Sequence, residues 1–240
     1  MNEVIGISPL CANWPSCALY IRGESPDGST QIRDWSLNRA TITRVGSVAQ
    51  STTSPIFPPA KLNFPGSSYL TVPANSRFSL LGNTDWVIVY WWEWSGTGYY
   101  MIGYGGGGDT WLTTNGRQWN WVPQPGANAN FQFNNNGKAV NNSFSLSCPT
   151  GTKSCVAMIN KGSTTTCSVY VNGSQVTTFS TAKMVTSVSS PSTLNIGCSA
   201  HSGDGYIYTG SLDEFGIWNG ANGKVPTIEQ LYSPYRRFVV

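Results

Sequence analysis

Short segments in which apolar and polar residues alternate recur along most of the chain, and turn residues separate them. Residues 40–49, ATITRVGSVA, show this period of two clearly. Because successive side chains of a β-strand point to opposite faces, the alternation predicts strands that bury one face. Together with short apolar runs, it predicts strands at residues 18–21, 40–49, 61–64, 68–72, 86–94, 99–104, 110–114, 118–122, 130–133, 154–160, 166–171, 174–179, 193–197 and 211–218. Many short strands at this spacing are typical of a β-sandwich.

The segment from Trp86 to Trp94 departs from the alternation because both of its faces are apolar. On a strand, its residues divide between one face with Trp86, Tyr90, Trp92 and Trp94 and another with Val87, Val89, Trp91 and Glu93. Strands that are buried on both faces lose their polar alternation. We therefore predict a central strand that the sandwich packs on one side and that is covered on the other.

Two local signals mark a hairpin and a helical turn. Asn172-Gly173 separates two predicted strands, and this dipeptide accepts the positive φ angles of a two-residue type I′ turn. Residues 227–232, TIEQLY, have apolar positions at helical spacing. We predict a hairpin at the first site and a single helical turn after the last strand at the second.

Four blocks of the sequence form a recognisable set. They are FPGSSYLTVP at residues 64–73, the aromatic strand at 86–94, YVNG at 170–173 and GSLDEFGIW at 210–218. With these blocks the chain resembles the concanavalin A-like or laminin-G-like jelly roll, of the stand-alone kind found in structural proteins of tailed bacteriophages. The resemblance spans nearly the whole chain. It implies a platform for binding and display that only sometimes carries an enzyme.

The fold class expected from these observations is all-β, an antiparallel two-sheet jelly-roll sandwich. Residues 1–17 are predicted to form an irregular N-terminal arm, residues 18–232 the jelly-roll domain, and residues 233–240 a tail after a short C-terminal helix. No linker and no internal repeat divides the chain.

Composition argues against several classes of function. Charged residues make up 10% of the chain, the net charge is +3, and the basic residues are scattered. A nucleic-acid partner is not expected, because such proteins usually carry a concentrated basic face. No apolar run approaches the ~20 residues of a membrane span. The first residues lack the basic region and apolar core of a secretory signal. Neither membrane insertion nor export by the general route is expected.

The acidic residues do not form the pattern of a glycosidase. Glycosidases on this fold commonly use a carboxylate pair spaced as E-x-D-x-x-E on one strand, which places the acids on one face. Glu93 stands alone, and Asp213 and Glu214 are adjacent, so on a regular strand they face opposite sides. The resemblance implies a structural role for this Asp-Glu pair, with the aspartate supporting a loop. His201 is the only histidine, and the chain has no G-x-S-x-G motif, the nucleophile elbow that would present a serine to it. We therefore expect a non-enzymatic protein, and a glycoside hydrolase is the low-ranked alternative.

A resident cofactor is not expected, with calcium as the only weak candidate. Lectins of the legume type hold calcium with Asp and Asn on loops, and Asp109 and Asp204 lie in glycine-rich loops of this chain. Neither belongs to a series of ligands, so most of the six to eight ligands that calcium prefers would have to be carbonyls or water.

The six cysteines leave three interpretations open. Cys11 and Cys17 are close in sequence, as are Cys148 and Cys155, so each pair could close a small disulfide loop. Buried thiols are the second interpretation, since cysteine is among the most buried residues. Zinc is the weakest, because the chain has no C-x-x-C pair and one histidine.

A second aromatic cluster supplies the candidate contact residues. These residues are Tyr99, Tyr100, Trp111, Trp119 and Trp121, with Asn115, Arg117 and Asn120 between them. Trp119 and Trp121 share one strand face. Exposed, they would form a platform for sugar rings or an anchor for another subunit, and core packing is the alternative.

Composition and resemblance together suggest a virion protein. Low charge with many Trp, Asn, Ser and Thr residues is typical of proteins that work outside a cell, whereas no export signal is visible. Virion proteins reconcile the two observations, because they assemble in the host cytoplasm and leave by lysis. We expect a capsid decoration protein, head fibre or tail attachment component on the particle exterior. Its expected partners are other virion proteins, copies of itself and a host surface glycan. A glycan-binding lectin module is the alternative.

Overall fold

The computed structural model describes residues 14–96, 101–105, 117–123, 128–135, 138–184, 193–198 and 207–232. The strands of this part of the chain are β1 (Cys17–Ile21), β2 (Thr43–Val45), β3 (Ala49–Ser51), β4 (Lys61–Phe64), β5 (Tyr69–Pro73), β6 (Trp86–Trp94), β7 (Ile102–Gly105), β8 (Arg117–Val122), β9 (Asn128–Asn135), β10 (Lys138–Ser145), β11 (Lys153–Lys161), β12 (Thr166–Val171), β13 (Ser174–Ser180), β14 (Thr193–Ile196) and β15 (Gly210–Asn219). Two 3-10 turns (Ser76–Phe78 and Gly220–Asn222) and one short helix, α1 (Ile228–Leu231), complete it.

The strands form two antiparallel sheets that pack face to face. The eight-stranded sheet has the order β13-β12-β11-β6-β15-β4-β3, and β1 also pairs with β15. The seven-stranded sheet has the order β10-β9-β8-β7-β14-β5-β2. The predicted all-β, two-sheet antiparallel sandwich with a short C-terminal helix is confirmed. No helix among the described residues is long and apolar enough to cross a membrane.

Strand β6 is buried on both faces, as the sequence predicts. Its neighbours are β11 and β15, so it lies at the centre of its sheet. Trp86, Tyr90 and Trp92 belong to the core between the sheets, whereas Val87, Val89 and Trp91 belong to a second core on the outer side. Trp91 stacks on Tyr232 with ring centroids 5.7 Å apart. The second core therefore receives part of its cover from the end of helix α1.

A bulge in β15 joins the sandwich to its covering segments. The pairing with β6 shifts between Asp213 and Gly216, and Glu214 has a φ of +50° there. The buried Asp213 carboxylate accepts hydrogen bonds from the backbone N–H groups of Gly23 (3.0 Å), Phe57 (3.1 Å) and Glu214 (2.9 Å). Asp213 thus holds two loops onto the sheet, which is the structural role that the resemblance implies.

The predicted local signals at the hairpin and the helical turn are confirmed. Asn172 and Gly173 have φ angles of +49° and +82°, the signs that a type I′ turn requires. Helix α1 begins with a capping box, in which Thr227 and Gln230 each bond the other's backbone N–H.

The structure corrects three of the predicted elements: one strand is divided, one strand was missed, and the domain begins earlier. The single strand predicted at residues 40–49 is two strands, β2 and β3, which belong to different sheets because the chain turns at Gly46 with a φ of +73°. Strand β10 was not predicted, since its Asn and Ser residues have low β propensity. Ser16 and Cys17, assigned to the arm, are buried against the sandwich. Residues 1–13 and 233–240 lie outside the described part of the chain.

The predicted disulfide between Cys148 and Cys155 is wrong, because both side chains are buried thiols. Cys17, Cys167 and Cys198 are buried as well. Cys11 lies outside the described residues, so its pairing with Cys17 stays a prediction. Burial raises the pKa of the Cys148 thiol to about 11, because the thiolate would lose its hydration. These cysteines act as small apolar side chains, in line with the buried-thiol alternative.

One hydrogen bond joins the two sheets through their shared core. The indole Nε1–H of Trp121 on β8 donates to the Tyr90 hydroxyl on β6 at 2.6 Å, and both residues are fully buried. Burial raises the pKa of the Tyr90 phenol well above its usual range, so the hydroxyl stays neutral. The bond satisfies an indole N–H that would otherwise be stranded in an apolar core.

We expect the native protein to resist thiol labelling. At pH 8, Ellman's reagent should react rapidly with at most one of the six cysteines, Cys11, because the other five are buried. Unfolding in denaturant without a reductant should expose the remaining thiols to the reagent. Two results together would restore the disulfide interpretation. The thiols would stay unreactive after unfolding, and the intact mass would increase on alkylation only if the protein had first been reduced.

Removing the bond between the sheets should destabilise the fold in a coupled way. We expect Trp121→Phe and Tyr90→Phe each to lower the free energy of unfolding by about 1–3 kcal/mol, since each leaves a buried polar group without its partner. The double variant should lose about 1 kcal/mol less than the sum of the two single losses. Urea denaturation of the four proteins measures this, and additive losses would show that the bond contributes nothing of its own.

Candidate ligand-binding site

Trp119 and Trp121 do not form an exposed platform. Both side chains are fully buried between the sheets. Trp119 donates its Nε1–H to the Phe78 carbonyl at 2.9 Å and stacks on Phe131 with ring centroids 6.3 Å apart. The prediction that these two residues contact a ligand or partner is wrong, because the sandwich buries its largest apolar side chains in its core.

The other candidate residues are not brought together by the described structure. Tyr99, Tyr100, Trp111 and Asn115 lie outside the described residues, and Arg117 is the first residue of β8. Asp109 and Asp204, the weak calcium candidates, also lie outside them. Their roles stay predictions. Within the described ranges, no three His, Cys, Asp or Glu residues are grouped as metal ligands.

The opposite face of β8 carries amides instead of aromatic rings. Because its residues alternate, Asn120 points away from the core when Trp119 and Trp121 point into it. The strand register continues this position across the whole seven-stranded sheet. We call the resulting line the amide row; in sheet order its members are Asn141, Gln132, Asn120, Gly103, Asn195, Thr71 and Thr43.

The amide row is deepest at its centre. Asn120 is 0% exposed, Asn195 2% and Gln132 6%, whereas Asn141 and Thr43 at the two ends are exposed. These side chains lie outside the sandwich core, so the centre of this face is covered while both of its ends reach solvent. With strands about 4.8 Å apart, the seven positions span roughly 29 Å. The row is therefore a line of polar side chains that is buried at its centre and exposed at its two ends.

Strand β7 places a glycine in the middle of the row. Its position in the row is Gly103, which is buried between Asn120 on β8 and Asn195 on β14. A glycine within a strand often marks a place where a ligand or another backbone comes close to the sheet. The row therefore has no side chain at its centre.

Gln132 carries a buried hydrogen-bond acceptor without a partner on this face. It is more than nine-tenths buried, and its Oε1 atom accepts no hydrogen bond from the residues that the structure describes. Buried polar atoms nearly always have a partner, and each exception needs an explanation. A ligand that donates a hydroxyl at this point would satisfy the atom.

The chemistry of this face is polar and neutral. Asn and Gln side chains each offer donors and an acceptor, and Thr adds a hydroxyl. None of the described residues whose side chains the register assigns to this face is Asp or Glu. Such a face can bind a ligand rich in hydroxyl groups, but its described residues provide no pair of carboxylates for hydrolysis.

Two of the three acids considered for catalysis, Glu93 and Asp213, are engaged in the fold. Glu93 lies on the eight-stranded sheet, where its carboxylate is 3.0 Å from the Lys61 ammonium group. Asp213 is buried and bound to backbone N–H groups. Glu93 is therefore opposed by a lysine and not by a second carboxylate.

Sequence reasoning missed the amide row although its signal is present. Residues 130–134 read NFQFN, so amides alternate with phenylalanines, and residues 118–121 read QWNW in the same manner. Trp119 and Trp121 are the residues expected to contact a ligand, and of the amides in these two segments only Asn120 is included in that cluster. The structure places the aromatics in the core, so the alternation itself identifies the amide face.

Residues 64–223 match the family described as the concanavalin A-like lectin/glucanases superfamily. A search of curated protein sequences found no significant match. Similar solved structures include the binding domain of Paraclostridial Mosquitocidal Protein 1, with a TM-score of 0.65 and 14% identity over 90% of this chain. Another is the receptor-binding domain of botulinum neurotoxin C/D mosaic serotype, with a TM-score of 0.61 and 15% identity over 90% of this chain.

The likeness to these structures establishes a shared fold. A further similar structure is the binding domain of botulinum neurotoxin DC in complex with SialylT, with a TM-score of 0.61 and 14% identity over 90% of this chain. The chain covers 51%, 50% and 50% of the three structures, so it spans about half of their length. The structure is a lectin-like β-sandwich, and the family match covers well over half of the chain. The chain therefore belongs to the concanavalin A-like lectin/glucanases superfamily.

Proposed function

We propose that this protein is a non-enzymatic carbohydrate-binding domain that holds a neutral oligosaccharide along the amide row. The observation that carries the proposal is the Oε1 atom of Gln132, a buried acceptor outside the sandwich core that no described residue satisfies. Sugars present closely spaced hydroxyl groups, which both donate and accept. Gln132, Asn120 and Asn195 offer the complementary groups in one line.

The length of the row favours an extended ligand. The row crosses all seven strands and its two end positions are exposed, so a chain of several sugar units can reach the row from either end and continue beyond it. At Gly103 the row has no side chain, so one sugar ring can sit closer to the sheet than its neighbours. The neutral amides favour a ligand without charge, since a charged ligand would lose hydration on this face without an opposite charge to replace it.

The similar folds also point to binding. The solved structures named above are described as binding or receptor-binding domains, and one was solved in complex with SialylT. This supports recognition as the role of the sandwich, while the choice of ligand rests on the amide row of this chain.

Replacing one amide of the row should weaken glycan binding selectively. On an array of neutral oligosaccharides, we expect at least one extended glycan to bind the protein, and Gln132→Ala to weaken that binding about tenfold through the loss of hydrogen bonds to sugar hydroxyls. The measurement is a titration of the best glycan from the array against both proteins.

The matched control is Gln175→Ala, which removes an exposed glutamine from the edge of the other sheet. This variant should bind the glycan like the unmodified protein, and thermal unfolding should show that both variants fold. The proposal fails if no neutral glycan binds, or if Gln132→Ala and Gln175→Ala have equal effects.

A virion structural role is the second candidate, and two observations favour it. The described cysteines are thiols, as expected of a chain that folds in a reducing compartment such as the host cytoplasm. Edge strand β13 contains neither a charged residue nor a proline, the residues that usually prevent edge-to-edge pairing. Stacking of Phe179 on Phe144, with centroids 6.0 Å apart, sets the edge of β10 beside it. In this role, copies of the chain would pair through these edges on the outside of a capsid or tail, among other virion proteins.

The virion role predicts a closed oligomer held together by edge β13. At micromolar concentration, analytical ultracentrifugation should report a single oligomeric mass such as that of a trimer, and Val176→Lys should dissociate it by placing a charge on the edge. The control is Leu37→Lys, because Leu37 is also exposed (55%, against 43% for Val176) but lies outside the edge strands. A monomer at this concentration would contradict the candidate.

A further inference from the structure

A recess lies at the β3 edge of the eight-stranded sheet, apart from the amide row. It has a volume of about 220 Å³ and is lined by Arg22, Glu24, Ser25, Arg33, Trp35 and Gln50. Pockets for drug-sized ligands begin at roughly 300 Å³. This recess is therefore of the size of one sugar ring or a group of similar bulk.

The guanidinium group of Arg22 is fixed within this recess. Arg22 is only 2% exposed, and its guanidinium carbon lies 5.0 Å from the centroid of the Trp35 ring. Its Nε atom forms an ion pair with the Glu24 carboxylate. A planar guanidinium that is stacked on a ring and paired at one edge keeps a single orientation.

Gln50 and the backbone around Trp35 make the walls rigid. The Gln50 Oε1 atom accepts hydrogen bonds from the N–H groups of Glu24 and Ser25, each at 2.7 Å. Its Nε2 atom donates to the Gln31 carbonyl at 2.6 Å, and Gln50 itself is 3% exposed. The Trp35 N–H donates to the Tyr20 carbonyl on β1 at 2.7 Å. The recess is held in shape before any ligand arrives, which lowers the entropic cost of binding.

The charges that line the recess do not cancel. Two guanidinium groups, those of Arg22 and Arg33, face one carboxylate, that of Glu24. Arg33 is exposed and forms no ion pair with any residue that the structure describes. The recess therefore carries one net positive charge, and the cation at its rim is available to an anion from solution.

We infer that this recess binds a sugar that carries a carboxylate, such as a uronic or sialic acid unit. Arg33 and the fixed Arg22 supply charge-assisted donors for the carboxylate. Glu24 and Ser25 can accept hydrogen bonds from ring hydroxyls, and Trp35 provides an aromatic wall for the ring. None of its lining residues belongs to the amide row, so this site is independent of the proposed function.

The test compares glucuronate with glucose, which differ by a carboxylate at one carbon. In a ligand-observed NMR titration of the full chain at low salt, glucuronate should bind saturably and at least tenfold more tightly than glucose. Arg33→Gln should weaken glucuronate binding about tenfold, and raising the salt concentration should weaken it further, since the pair is exposed to screening.

The matched control is Lys183→Gln, which removes one positive charge from an exposed turn after β13, at the other edge of the same sheet. It should leave glucuronate binding unchanged, and so should Gln132→Ala on the amide row. Three outcomes would overturn the inference: equal binding of glucose and glucuronate, equal effects of Arg33→Gln and Lys183→Gln, or glutamate binding as tightly as glucuronate. The last outcome would point to an acidic peptide and not to a sugar.

Discussion

The architecture depends on one constraint, which is that strand β6 is apolar on both faces. A β-sandwich normally buries one face of each sheet, so the outer face of β6 exposes Val87, Val89 and Trp91 unless another layer covers it. The chain supplies this layer from the loop that contains Phe57, whose ring packs edge-on against Trp91, and from helix α1, placed so that Tyr232 stacks on Trp91. The Asp213 carboxylate also helps to hold the covering segments in place, because it binds the backbone N–H groups of two loops. The eight-stranded sheet is thus used for stability on both of its faces.

The seven-stranded sheet has no such requirement on its outer side. Its tryptophan side chains point inward, where Trp121 bonds Tyr90 across the core, and the outer positions of the amide row are Asn, Gln, Thr and Gly. A buried amide oxygen is costly unless something bonds it. The Oε1 atom of Gln132 is such an oxygen, and a polar ligand would bond it.

The sequence predicts the fold well because its signals are local and agree with one another. The Asn172-Gly173 turn, the doubly apolar strand at Trp86–Trp94 and the helical turn capped by Thr227 each depend on residues close together in the chain. The errors arise where tertiary context decides. Gly46 splits one alternating segment between two sheets, and Cys148 and Cys155 form no disulfide although they are close in sequence.

The candidate site was harder to predict. Alternation of aromatic and amide residues divides a strand into two faces, but it does not show which face points into the sandwich core. For QWNW the tryptophans are expected to contact the ligand, although burial of Trp119 and Trp121 contributes far more to stability than burial of the amides beside them. Only the strand register, which depends on the pairing of seven strands, brings Gln132, Asn120 and Asn195 into one line.

The two proposed ligand surfaces divide recognition by charge. The amide row is neutral in its described part, so its binding should change little with ionic strength, whereas a site that contains Arg33 at its rim should respond strongly to salt. Because one surface lies on the outer face of the seven-stranded sheet and the other at the β3 edge of the eight-stranded sheet, occupation of one does not block the other. A polysaccharide with neutral stretches and acidic units could then engage both, and the gain in affinity would depend on whether one chain reaches from one site to the other.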